Sequence, residues 1–208
     1  MGEGNHVGAG GVSGTRLTAE GTDALARMRA FIAEVALPRV AAFELEHPDT
    51  AFALEPDGRL AEPLYALKIE MQQLSASEGL YCPHLPPPDG LGLGFLDCMH
   101  LHEEVFGHGI RGQQWTLAWT EGPSPLVRYW STESRERVLP DFLGGKSAVC
   151  FALTEASAGS DFPALETTAV RDGSGWRLSG AKHLITGAPQ AGFAQVFARV
   201  DDAPRGEL

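Results

Sequence analysis

The residues that decide the fold are Phe151-Ala152-Leu153-Thr154-Glu155-Ala156-Ser157-Ala158-Gly159-Ser160-Asp161. They begin as an apolar strand, with Phe151 and Leu153 on one face and Thr154 on the other, and they end in a small polar turn. Before Gly145 the apolar residues recur at helical spacing, whereas after it they alternate with a period of two. This change of period predicts an α+β fold, in which an all-α helical part is followed by a β part.

Three apolar stripes predict helices in the first part of the chain, and a further helix is expected around residues 133–143. Pro38 should end or kink the first helix, Pro63 can occupy the first turn of the second, and Gly79 can close it. The residues of the three stripes are Leu25, Met28, Ile32, Val35, Leu64, Leu67, Met71, Leu74, Phe95, Met99, His102 and Phe106.

The β part is predicted to be an antiparallel meander or barrel. A hairpin is expected around Asp172-Gly173-Ser174-Gly175, formed by residues 165–171 and 176–179. Further strands are expected at 182–186 and at 193–200, where apolar residues alternate. A meander of about four strands with open edges is poorly protected against pairing. We therefore expect a fragment or a chain that needs a partner, divided into a flexible N-terminus (1–20), a helical domain (21–146) and a partial β domain (147–208).

Composition excludes several functional classes. The chain has 208 residues, with 16 Lys+Arg against 27 Asp+Glu and a net charge of −11, which argues against nucleic acid and anionic membrane surfaces as partners. No apolar run approaches the roughly 20 residues of a membrane-spanning helix, and the N-terminus does not resemble a signal peptide. Three widely spaced cysteines fit reduced thiols, so a cytoplasmic location is expected.

Two other chemistries find little support in the sequence. His100, His102, Glu103 and Glu104 are a tempting metal cluster, but His102 points away from the pair His100 and Glu104. Two ligands on one helix still lack a third, so no metal site is predicted. Ser157 and Ser160 lack the G-x-S-x-G elbow of a hydrolase.

The turn after the first strand is the best candidate site. It exposes hydroxyls and backbone N–H groups, and Gly159 allows a ligand to approach the main chain. The run Leu184-Ile185-Thr186 again ends with a hydroxyl beside apolar side chains. Two such segments suit a flat ring with polar edges, although an ordinary turn explains the pattern equally well.

Several motifs resemble those of the acyl-CoA dehydrogenase family. They are Thr154-Glu155-x-x-x-Gly159-Ser160-Asp161, then Trp176-x-Leu-x-Gly180-x-Lys182-x-x-Ile185-Thr186, then Phe197-Ala198-Arg199. The order and spacing of several motifs are far more specific than one motif alone. The resemblance extends to the helical part from about Thr22, but it covers only the first half of a family member and lacks the C-terminal helical bundle.

The resemblance implies an FAD-dependent enzyme that removes the α and β hydrogens of an acyl-CoA thioester. A carboxylate takes the α proton, the flavin accepts the β hydrogen as hydride, and an electron-transferring flavoprotein takes the electrons. The family forms dimers or tetramers, so a homo- or hetero-oligomer is expected. The family's catalytic base lies in the absent C-terminal domain, so no catalytic residue is assigned in this chain, which is expected to be inactive alone.

The resemblance also implies which residues contact the flavin. Phe151, Leu153 and Thr154 would lie along it, and Ser160 would lie near its pyrophosphate and near the acyl-CoA. Gly159 is expected to bind the cofactor as well. The ring would lie along Leu184, Ile185 and Thr186. Leu184 stands where many members have tryptophan, and Ala156 replaces a common proline. The alternatives are an acyl-CoA oxidase or flavin monooxygenase of the same fold, or a non-catalytic subunit that binds acyl-CoA or flavin.

Overall fold

The computed structural model describes residues 16–49, 54–109, 112–118 and 124–200. The helical part precedes all of the described strands, so the predicted order of α before β is confirmed. Its elements are α1 (Ala19–Phe31), a π-helical turn (Ile32–Ala36), α2 (Leu37–Glu46), α3 (Glu62–Ser77), α4 (Phe95–Gly107), α5 (Thr132–Leu143), and the 3-10 turns Gln113–Thr116 and Pro125–Tyr129.

Pro38 neither ends the first helix nor interrupts it. The chain passes from α1 into α2 through the π-helical turn, and Pro38 occupies the first turn of α2. Proline lacks the N–H that an α-helix interior needs, and a π turn before it absorbs the disturbed hydrogen bonding. The same turn buries Ile32 and Ala36, so the apolar stripe stays continuous.

The first two predicted stripes meet in the helical core, but the stripe predicted for the third helix is wrong: Phe95, Met99 and Phe106 are exposed, and α4 turns a different face to the core. Met28 of α1, Met71 of α3, and Leu101 and Val105 of α4 are fully buried in one cluster. The start of α1 is fixed to α4, because the buried Asp97 carboxylate accepts hydrogen bonds from the N–H and hydroxyl of Thr18 (3.0 and 2.8 Å). Thr18 is also the N-cap of α1, so one residue both starts the helix and docks it.

The β part contains five short strands in two sheets. They are β1 (Val149–Ala152), β2 (Thr168–Asp172), β3 (Gly175–Ser179), β4 (Phe193–Val196) and β5 (Arg199–Val200). The predicted hairpin is confirmed, since β2 and β3 pair antiparallel. The other two pairings, β1 with β4 and β2 with β5, are parallel, so the expected antiparallel meander is wrong in that respect. The two sheets do not close into a barrel among the described residues.

The predicted strand at 182–186 is also wrong. Leu184 has a φ of +53°, and the following residues turn so that the Ala188 N–H donates to the Ile185 carbonyl (3.2 Å). A non-glycine residue in the left-handed region interrupts an extended strand. The segment is held instead by a single backbone hydrogen bond to the end of β1, from the His183 N–H to the Thr154 carbonyl (2.9 Å).

Some expectations concern residues outside the described ranges. Of the N-terminus predicted to be flexible (1–20), residues 1–15 lie outside the described ranges. Of the predicted β domain (147–208), residues 201–208 lie outside them. Cys82, Cys98 and Cys150 are all buried and form no disulfide. Within the described ranges, none of the helices combines the length and the apolar character needed to cross a bilayer.

Candidate functional site

The turn after β1 is closed by its own backbone. The Glu155 N–H donates to the Ala158 carbonyl (2.7 Å), and the Ala158 N–H donates back to the Glu155 carbonyl (3.3 Å). This tight loop leaves Gly159 and Ser160 at its outer edge, where Ser160 is exposed. A Cβ placed on Gly159 would meet only the Thr154 methyl group, at 3.9 Å. The turn therefore offers open main chain beside a hydroxyl, as the sequence predicts.

The second segment, residues 182–186, lies directly against the end of β1. The hydrogen bond from His183 to Thr154 joins the two, and it is followed by Leu184, whose side chain is 82% exposed. Thr186 is exposed and Ile185 is half-buried. Residues held in sparsely populated backbone conformations cluster at active sites and ligand-contacting positions. The two segments thus present apolar surface and hydroxyl groups on neighbouring stretches of chain.

The hydroxyls of these two segments are available to a ligand. Among the described residues, the side chains of Thr154, Ser160 and Thr186 form no hydrogen bond. Thr154 is half-buried, whereas Ser160 and Thr186 are exposed. Each hydroxyl can donate one hydrogen bond and accept others. They supply polar contacts without charge, which suits the edges of a planar heterocycle better than a strongly ionic ligand.

A buried ion pair joins the two segments. Lys182 Nζ lies 2.8 Å from Glu155 Oε1 and donates a second hydrogen bond to the Leu153 carbonyl (2.9 Å). Both residues stand in the quoted motifs, and a carboxylate directly after a buried strand is the signal that could have identified them. Their pairing could not be derived from local periodicity, because 27 residues separate them along the chain.

The Glu155 carboxylate is fully satisfied by its donors. Burial alone would raise its pKa, but hydrogen bonds from Lys182, from Thr167 and from the Glu166 and Thr167 N–H groups lower the pKa to about 2. A carboxylate that stays ionised under all ordinary conditions is a poor proton acceptor. Glu155 therefore has a structural role at this site and is not a candidate for general acid or base chemistry.

The other predicted site residues, Phe151 and Leu153, lie on or just after β1. Leu153 and Thr154 contact the second segment through their carbonyl groups. Phe151 is exposed and packs against Phe197, with ring centroids 4.5 Å apart. Two nearby cavities, of about 740 and 470 Å³, are lined by other residues. The candidate site is consequently an open surface at the end of β1.

The histidine and glutamate cluster on α4 is engaged in surface ion pairs. Glu104 accepts from Arg29 (2.7 Å) and lies 3.3 Å from His108 Nε2, while His100 pairs with Glu103 (3.5 Å). In the described part of the chain, no group of three potential ligands is arranged to hold a metal ion.

Comparisons with known proteins give consistent results. The family model described as acyl-CoA dehydrogenase, middle domain, matches residues 150–207. The acyl-CoA dehydrogenase FadE34 of Mycobacterium tuberculosis is 32% identical over 142 residues, which are 67% of this chain and 20% of that protein. The human mitochondrial short-chain specific acyl-CoA dehydrogenase is 40% identical over 130 residues, 54% of this chain and 31% of that protein.

A solved structure extends the likeness to the helical part. Glutaryl-CoA dehydrogenase from Mycobacterium smegmatis, in complex with FADH2, superimposes with a TM-score of 0.64 and 25% identity. The alignment covers 90% of this chain and 44% of that one. The chain spans only 20% of the length of FadE34 and 31% of the length of the human short-chain enzyme.

Proposed function

The chain belongs to the acyl-CoA dehydrogenase family, and we propose that it supplies the first flavin-contacting segments of an FAD-dependent enzyme that dehydrogenates an acyl-CoA thioester at its α and β carbons. In this proposal residues 21–146 are the N-terminal helical domain and residues 147–208 are the first part of the middle domain. FAD is the cofactor of the family, and when bound it supplies the acceptor for the β hydrogen.

One observation carries the proposal. Two segments of chain, 154–160 and 182–186, are held side by side with exposed apolar surface at Leu184 and with hydroxyls that no described side chain or backbone group occupies. A flavin ring is flat and apolar on its faces and carries hydrogen-bonding atoms along its edges. The residues present therefore fit this cofactor.

Each residue has a proposed role. Phe151, Leu153 and Thr154 line the flavin from β1, and Leu184, Ile185 and Thr186 line the isoalloxazine. Gly159 allows the pyrophosphate to approach the main chain, and Ser160 donates to it and lies near the acyl-CoA. None of these groups takes a proton from the substrate. The base, the acyl-binding surface and the docking surface for an electron-transferring flavoprotein belong in this proposal to parts of the family fold that the chain does not cover.

Replacing Thr186 by valine tests the proposed contact with the flavin edge. Valine keeps the volume and the β-branched shape but removes one hydrogen bond, which costs about 1 kcal/mol. We expect the FAD dissociation constant, measured by flavin fluorescence, to rise about fivefold and the flavin absorption bands to shift.

Thr168→Val is the matched control. Thr168 lies on β2, is half-buried, and like Thr186 forms no side-chain hydrogen bond among the described residues. This variant should bind FAD as the wild type does. An unchanged affinity and spectrum in Thr186→Val would mean that Thr186 does not contact the flavin.

A further inference from the structure

A single buried carboxylate joins three separate stretches of the β part. Glu155 is 6% exposed and lies three residues beyond the end of β1. It accepts hydrogen bonds from the N–H groups of Glu166 (2.6 Å) and Thr167 (2.9 Å), and from the Thr167 hydroxyl. These contacts fasten the entry to β2. Its remaining partner, Lys182, belongs to the stretch that precedes Leu184.

Lys182 joins the same carboxylate to the β1 backbone. Its ammonium group bridges Glu155 Oε1 and the Leu153 carbonyl, and its side chain is largely buried. The neighbouring His183 N–H donates to the Thr154 carbonyl. Residues 182 and 183 therefore cross the end of β1 with three hydrogen bonds, one of them strengthened by charge on both partners.

Gly180 brings the crossing chain close enough for these bonds. Its φ is +151°, and a Cβ there would lie 2.5 Å from Thr167 Oγ1 and 2.7 Å from Thr167 Cα. Only glycine permits such an approach, and Thr167 is the residue whose N–H and hydroxyl both donate to Glu155. The close approach and the ion pair thus act at one point of the fold.

The crossing has a direct consequence for the candidate site. Leu184, two residues beyond Lys182, is highly exposed and has a left-handed backbone conformation. In the part of the chain that the structure describes, the only backbone hydrogen bond of the 182–184 stretch to another segment is that of His183. Such strain persists only where the surroundings determine it.

We propose that the Glu155–Lys182 ion pair is a positioning device that holds residues 183–187 in register with the end of β1, so that both segments meet the same face of a bound flavin. This inference rests on the proposed function. In this account Lys182 and Glu155 are positioning residues, and neither touches the substrate. Their effect on the flavin is exerted through Leu184, Ile185 and Thr186.

The test compares Lys182→Met, Glu155→Gln and the double variant. A single substitution leaves one buried charge without its partner, whereas the double variant leaves no unpaired buried charge. The double variant therefore separates positioning from stability. The measurements are the melting temperature, amide hydrogen exchange at 183–187 with α1 and α4 as internal reference, and the dissociation constant and absorption spectrum of FAD.

A second ion pair provides the control. Arg177 and Asp172 lie 3.9 Å apart on the neighbouring hairpin, and both side chains are exposed. The double variant Asp172→Asn/Arg177→Met removes the same pair of charges from the β2–β3 hairpin. It should leave the exchange at 183–187 and the affinity for FAD unchanged.

We expect the Glu155→Gln/Lys182→Met variant to melt no lower than either single variant, yet to exchange at least tenfold faster than the wild type at 183–187 and to bind FAD at least tenfold more weakly with an altered spectrum. Wild-type exchange at 183–187 in this variant, or wild-type flavin affinity and spectrum, would overturn the proposal. If the wild-type chain itself binds no FAD, the proposed function fails separately. The exchange measurement then still decides whether the ion pair holds residues 183–187.

Discussion

The chain supplied with FAD, an acyl-CoA and a dye acceptor should turn over at least about 100-fold more slowly than an intact relative, because a general base contributes about 10²–10⁴ to such a rate. The only buried carboxylate at the described site is Glu155, and its donors keep its pKa at about 2. A carboxylate in this state holds its position but does not accept the α proton.

The assay needs an intact enzyme as its reference. Human short-chain acyl-CoA dehydrogenase, to which the chain is 40% identical over 130 residues, can be run beside it with short, medium and branched acyl-CoA substrates. Rapid turnover by the isolated chain would contradict the assignment of the base to another part of the family fold. It would also require a proton acceptor among the residues of this chain.

Among single substitutions in the connection between α5 and β1, Gly145→Ala should cause the largest decrease in the free energy of unfolding. Gly145 has a φ of +68°, and a Cβ there would lie 2.5 Å from the carbonyl carbon of Gln72 and 2.7 Å from the Gln73 nitrogen. Both are backbone atoms of α3, so no side-chain rotation relieves the overlap. The left-handed conformation costs about 1–2 kcal/mol and the overlap about 1–3 kcal/mol more.

Gly173→Ala separates the cost of the left-handed backbone conformation from the cost of the steric overlap. Gly173 lies in the β2–β3 turn with a φ of +60°, and a Cβ there would meet nothing within 4 Å. Its substitution should cost only the conformational part, about 1–2 kcal/mol. Urea unfolding of both variants measures the difference. Equal losses would mean that α3 and the α5–β1 connection are not in close contact.

The helices and the buried faces of α1 and α3 could be predicted because their signals are local, whereas the buried face of α4 was predicted wrongly. Met28, Ile32 and Met71 were placed on apolar stripes by their spacing, and all three are fully buried. Glycine and proline marked the helix ends for equally local reasons. The course of the chain at Pro38 was not predicted, because a π-helical turn has no distinctive spacing.

The β part was predicted less accurately because strand pairing is not a local property. β1 pairs in parallel with β4, whose first residue, Phe193, lies 44 positions beyond Val149, and no periodicity within either strand specifies that partner. The alternation at 182–186 resembled a strand, but Leu184 adopts a positive φ because the contacts of Lys182 and His183 fix the chain before it.

For the candidate site, the hydroxyl-bearing segments were identified from the sequence and the ion pair between them was not. Thr154, Ser160 and Thr186 were found because small polar residues followed apolar runs. Glu155 and Lys182 stood in the same motifs, yet a charged residue after a strand is usually exposed. Their burial follows from the close crossing at Gly180, which depends on the three-dimensional path of the chain.

The most direct test of the account is an NMR titration of the ¹⁵N-labelled chain with FAD, in which the amide shift of each residue is measured. The FAD concentration is raised to the millimolar range so that weak binding is detected. ADP and riboflavin serve as the two halves of the cofactor. We predict saturable amide shifts at 153–160 and 183–187, with ADP acting on residues 159–161 and riboflavin on residues 184–186, and no shifts in α1 or α4. Saturable shifts confined to another surface, or no shifts up to millimolar FAD, would contradict the account.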